Sequence, residues 1–185
     1  MSPLFDTFKT RAEAVSAEVN RFATKAEALD FILALLRQEH VADIHQSRAV
    51  WANGSLLDGV DRQRLTELAP GLTFDVTVDA AESSKIGISQ VEWAISDTGT
   101  LVTDAAPVER RLASTLPVIH VAVAATDSIQ PDMAAAFARI HPDQSGYISM
   151  ITGPSRTADI ERVLTIGVHG PSRLVIVFVD ELGKN

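Results

Sequence analysis

Residues 118–124 and 174–179 are apolar at almost every position, yet each is only strand-length. A strand with one face in water alternates polar and apolar side chains, whereas one without alternation must be covered on both faces. That requirement constrains the fold more than any other feature of the chain. Shorter runs at 49–51, 74–78, 86–88, 100–102 and 147–152 read as further strands. Helical spacing is expected at 62–69, 90–93, 108–114, 127–140 and 157–166. Strands alternating with helices predict an α/β layered fold with a mostly parallel sheet. The 185 residues suffice for one such domain and are marginal for two.

The first forty residues read as helix. Phe5, Phe8, Ala12, Val15, Val19 and Phe22 recur at steps of three and four and form one apolar stripe. Thr24, with Glu27 three residues on, is a capping box that opens a second helix bearing Leu29, Ile32, Leu33, Leu35 and Leu36. The organisation expected is an N-terminal helical segment over 1–38 and an α/β domain over 39–185. The stripe packs on the domain's own body or makes a subunit contact, so a homo-oligomer is compatible with it.

Net charge is −8, without a basic cluster, which disfavours nucleic acid as a partner. Cysteine is absent, so no disulfide, cysteine nucleophile or cysteine-held iron–sulfur cluster can form, and no cofactor is expected through cysteine. Residues 1–6 lack a basic n-region and an apolar h-region, and no apolar run reaches membrane-spanning length, so a cytoplasmic protein is expected. No dinucleotide fingerprint, phosphate loop, nucleophile elbow or zinc-peptidase motif is found, and the histidines lack metal-site spacing.

The run Gly153-Pro154-Ser155-Arg156-Thr157 follows the strand expected at 147–152 and precedes the helix expected at 157–166. A strand-to-helix turn at the carboxyl edge of a sheet offers free N–H groups to an anion, with Gly153 allowing close approach and Ser155, Arg156 and Thr157 adding donors. The competing reading is a capped helix entry with Arg156 paired to Asp159 or Glu161. Asp97-Thr98-Gly99-Thr100 places a carboxylate and two hydroxyls around one glycine. Asp97 there is either a general base or the anchor of a hairpin turn. Glu92, entering an apolar segment, is an acid–base candidate or a solvated helix residue. His169, between Gly167 and Gly170, suits a proton donor in a closing loop. His120, at the head of an apolar strand, reads better as a structural hydrogen-bonding residue.

Three segments taken together, 94–102, 111–120 and 153–161 with the following Gly167-Val168-His169-Gly170-Pro171, resemble the LUD-domain family, in its lactate utilisation C (LutC/YkgG-type) branch. The resemblance covers roughly residues 40–185. It implies a fold similar to the sugar-phosphate isomerase and CoA-transferase (NagB/RpiA-like) architecture. It also implies a part in oxidising L-lactate to pyruvate beside an iron–sulfur partner and a Cys-rich partner, with a small anionic ligand bound. The alternatives are a stand-alone isomerase or acyl/CoA-transferase acting on a phosphorylated sugar or CoA ester, and a non-catalytic interaction module.

Overall fold

The computed structural model describes residues 2–140, 146–158, 164–167 and 169–183. In chain order the elements are α1 (Pro3–Ala14), β1 (Ala17–Phe22), α2 (Lys25–Gln38), β2 (Arg48–Trp51), α3 (Arg62–Leu68), β3 (Leu72–Thr73), α4 (Val78–Glu82), β4 (Ser84–Gln90), β5 (Trp93–Ile95), β6 (Thr100–Asp104), α5 (Val108–Thr115), β7 (Ile119–Ala125), β8 (Ile129–Gln130), α6 (Met133–Phe137), β9 (Ile148–Ile151), β10 (Arg156–Ala158), β11 (Leu164–Ile166) and β12 (Arg173–Val179). Six strands form a parallel sheet in the order β1-β12-β7-β4-β2-β3. A smaller sheet, β8-β5-β6-β9, is mixed, and β10 pairs antiparallel with β11.

The continuous apolar runs are explained by burial on both faces of the large sheet. From β7 and β12, Val121, Val123, Val175 and Val177 enter a core shared with Ile32, Leu33 and Leu36 of α2. Their neighbours Ala122, Ala124, Leu174, Ile176 and Phe178 enter a second core under α1. There Phe5 and Phe8 meet Phe178 edge-on, at 5.6 and 5.1 Å between ring centroids. Burying each ring contributes about 1.5–3 kcal/mol.

Where the expected helices fail, backbone N–H groups have found strand partners. The stripe from Phe5 to Phe22 is not one helix: α1 stops at Ala14, Ser16 takes φ 70°, and residues 17–22 become β1 against β12. Val19 and Phe22 then point to opposite faces, into the second and first cores respectively. The capping box holds, with the Thr24 side chain accepting from the Glu27 N–H. Residues 90–93 are not helical, because Val91 N–H donates to the Val123 carbonyl and Glu92 N–H to the Val102 carbonyl. The helix expected at 127–140 shrinks to α6, capped by Asp132, because Pro131 follows a β8 that pairs with β5. The strand expected at 74–78 is displaced to β3, and Thr77 instead caps α4. Of the helix expected at 157–166, residues 157–158 and 164–166 belong instead to β10 and β11, in register Arg156 with Ile166, and 159–163 lie outside the described residues.

Candidate functional site

A cleft of about 410 Å³ opens at the amino ends of β7 and β12. Its floor includes His120 and Leu174, each the second residue of its strand. Residues 149–156 form one wall, His169 to Pro171 another, and Ser114 and Thr115 close it at the carboxyl end of α5. The two loops are tied together by backbone. Ser155 N–H donates to the Pro171 carbonyl at 2.9 Å, and Gly167 N–H to the Ser155 carbonyl at 3.0 Å. Of the segments that carried the family resemblance, Ser114, Thr115 and His120 of 111–120, residues 153–156 and residues 169–171 converge on one cavity, whereas no residue of 94–102 lines it.

This location corrects the expected one. Residues 153–156 follow an edge strand of the small sheet rather than a strand of the parallel one, and a strand succeeds them, so no helix N-terminus supplies donors there. The carboxyl-edge crevice between β2 and β4, where ligands commonly sit in open α/β sheets, is filled by the Gln90 side chain. Its Oε1 accepts from Ser55 N–H at 2.6 Å and from Ser55 Oγ at 3.0 Å. A Cβ on Gly54 would lie 2.6 Å from the same oxygen.

Among the described lining residues no aspartate or glutamate occurs. The charged or titratable members are Arg156, His169 and His120, set among the hydroxyls of Ser114, Thr115, Ser149, Thr152 and Ser155. In a chain of net charge −8, a cleft without carboxylates along its described lining repels an anion less than the acidic surface around it. Arg156 is held in place by the end of α1: its Nη2 donates to the Val15 carbonyl at 2.5 Å and to Ser16 Oγ at 3.0 Å. His169 is exposed at the rim. His120 is buried, with Nε2 2.9 Å from Ser89 Oγ, and burial pushes its pKa down from 6.5 to about 4.

The other expected site residues lie elsewhere. Thr157 is in β10, opposite Thr165. Asp97 and Thr98 are exposed at the tip of the β5–β6 hairpin, where Gly99 N–H donates to the Ile95 carbonyl at 3.0 Å, and neither lines the cleft. Thr100 is buried and connects the hairpin to the cleft wall through a 2.8 Å bond between its hydroxyl and that of Thr152. Glu92 is ion-paired with Arg110 and accepts from the Asp104 N–H at 2.6 Å, which fastens α5 to β6. Gly99 and Gly153 both have positive φ, 67° and 73°, and both press on α1. A Cβ would lie 2.5 Å from Ala12 N at the first and 2.6 Å from the Val15 carbonyl oxygen at the second. Sequence reasoning missed Ser149 and Thr152, which lie within the expected strand at 147–152, and assigned His120 to the core.

A model of the LUD domain matches residues 5–179. The chain belongs to the LUD domain family. It is 36% identical over 110 residues to lactate utilization protein C of Geobacillus sp. (strain WCH70), an alignment covering 56% of this chain and 46% of that protein. Over 110 residues it is 31% identical to the E. coli K12 protein called "Uncharacterized protein YkgG", covering 56% and 48%. The chain thus spans about half the length of the curated relatives it matches. A solved DUF162 family protein from Deinococcus radiodurans shares the fold at TM-score 0.58 and 20% identity, covering 95% of this chain and 96% of that one. No helix among the described residues is long and apolar enough to cross a membrane, and none of their side-chain groups could hold a metal ion through three His, Cys, Asp or Glu.

Proposed function

We propose that this LUD domain serves lactate utilisation by binding a small organic anion in the cleft between Arg156, Ser155 and His169. It acts as the cysteine-free component of a cytoplasmic L-lactate oxidation system, and the redox centre resides on an iron–sulfur partner. The observation that carries this reading is the cleft itself, free of carboxylates along its described lining and built from the motif residues. The relatives called lactate utilization protein C support taking lactate and its oxidation product as the anions to test.

A stand-alone isomerase or acyl transferase has less support. Such an enzyme needs a carboxylate base, yet Glu92 is committed to Arg110 and Asp97 lies outside the cleft. The test of the proposal is calorimetric titration with L-lactate and pyruvate. Both bind the wild type, and Arg156→Ala weakens them about tenfold or more, the loss of one charge-assisted contact of about 1.5–3 kcal/mol. Equal binding by wild type and Arg156→Ala would remove Arg156 from the site. Normal growth on L-lactate after deletion of the gene, in a strain without another lactate dehydrogenase, would refute the pathway.

A further inference from the structure

His120 has a property that a simple core histidine lacks. It sits on the floor of the cleft, almost fully buried, between Leu174 of β12 and Gly87 of β4 on the adjacent strands. Gly87 lets the end of α5 pack closely beside the ring, because a Cβ there would lie 1.9 Å from the Ala113 carbonyl oxygen. Ser89, one step along the same face of β4, is also buried, and its Oγ lies 2.9 Å from Nε2. Among the described residues this is the imidazole's hydrogen bond. Nδ1 has no protein partner there and is not one of the sealed, unpartnered side-chain atoms, which are Thr103 Oγ1 and Thr126 Oγ1. His120 lines the cleft while only 1% exposed, so Nδ1 is the ring nitrogen left for a partner there.

The buried Ser89 hydroxyl fixes which proton is where. Its proton needs an acceptor, and Nε2 is the one it has. This assigns Ser89 as the donor to Nε2 and the ring proton to Nδ1, which makes Nδ1–H the donor available to the cleft.

We propose that His120 is the cleft's specificity-determining residue: its Nδ1–H donates to the 2-oxygen of a short 2-hydroxy- or 2-oxocarboxylate whose carboxylate is held by Arg156 and His169. The proposal rests on the anion-binding reading above and adds the residue that reads the oxygen next to the carboxyl group. Neutral imidazole suits this role, because a donor without charge selects an oxygen without drawing in any anion that fits. Ser89 is a positioning residue that acts through the ring.

The experiment compares L-lactate, pyruvate and propionate, which share a carboxylate and chain length but differ at the second carbon. The wild type is expected to bind lactate and pyruvate about tenfold more tightly than propionate, the scale of one hydrogen bond left unmade. In His120→Phe the three bind within about twofold of one another. In ¹⁵N-histidine-labelled wild type, the His120 Nδ1 resonance is that of a protonated nitrogen, and it shifts with lactate but not with propionate. Equal binding of all three by the wild type, with Arg156→Ala still weakening them, would overturn the role of His120 and leave the anion cleft standing. Binding of none would overturn both. Should His120→Phe fail to fold, an Nδ1 resonance unmoved by saturating lactate refutes the proposal on the wild type alone.

Discussion

Replacing Gly99 by alanine tests whether the turn of the β5–β6 hairpin is gauged by α1. The added Cβ would lie 2.5 Å from Ala12 N and 2.8 Å from Ala12 Cα and the Arg11 carbonyl carbon, all of them backbone atoms of α1. Backbone in the last turn of α1 cannot swing aside as a long side chain can, so the helix or the hairpin must shift. Gly59 supplies the control, since it too has positive φ, 77°, but a Cβ there would meet nothing within 4 Å. Gly59→Ala therefore pays only for the left-handed backbone, about 1–2 kcal/mol. Gly99→Ala adds partial release of α1, which buries Phe5, Phe8 and Ala12. Full exposure of the two rings would cost about 3–6 kcal/mol, so a total of about 3–5 kcal/mol is expected. For a chain of this size 1 kcal/mol corresponds to about 2–4 °C in Tm. Gly59→Ala should then melt about 2–8 °C below wild type and Gly99→Ala about 6–20 °C below. Limited trypsin digestion is a second readout, because Lys9 and Arg11 lie on α1 and become cleavable as the helix loosens. Equal Tm shifts in the two variants, with unchanged cleavage at Lys9 and Arg11, would refute the contact argument.

His120 makes stability depend on pH in a defined direction. Its folded pKa of about 4 lies below its ordinary value of 6.5, so the unfolded chain takes up the proton first. The stabilisation is fully present above pH 6.5 and is lost as pH falls towards 4, by about 3 kcal/mol. His120→Phe should flatten that part of a urea-denaturation series run from pH 7 to pH 4. Glu92→Gln breaks the ion pair with Arg110 while its amide oxygen can still accept from Asp104 N–H. It should cost about 1–2 kcal/mol in denaturant titration and leave the calorimetric affinity for lactate unchanged. A large fall in affinity would instead make Glu92 part of the site.

The layered α/β class was legible because residues 118–124 and 174–179 stay apolar on both faces, which only a covered parallel sheet satisfies. The Thr24–Glu27 capping box was legible for the same kind of reason, since its signal is wholly local. The failures were long-range. The period from Phe5 to Phe22 fits a helix, but it equally fits a helix followed by a strand whose two faces meet different cores, and pairing with β12 decides between them. Within the site, Gly153, Ser155, Arg156 and His169 were grouped from sequence and do share the cleft. Asp97 was grouped with them because its turn resembles a ligand loop, but the turn serves to seat the hairpin on α1. His120 was set aside because an apolar strand around a histidine reads as core. Its place at the cleft depends on where β12 begins and on Ser89 in β4, neither of which is near it in the chain.

The pairing of β1 with β12 has a consequence for how the chain is born. The first strand finds its neighbour only in the last one: the Glu18 carboxylate and the Arg173 guanidinium that join across this seam are 155 positions apart. At ribosomal rates of about 5–20 residues per second, Phe5, Phe8 and Val19 wait on the order of ten seconds before Phe178 exists to cover them. Through that interval the nascent chain carries an unpaired strand edge beside an apolar helix face, a combination suited to chaperone capture and to mispairing between neighbouring chains. The loops around the cleft inherit the delay, since Arg156 rests on Val15 and Ser16. The cleft is thus among the last parts of the molecule to take shape, although its supports are among the first to be synthesised.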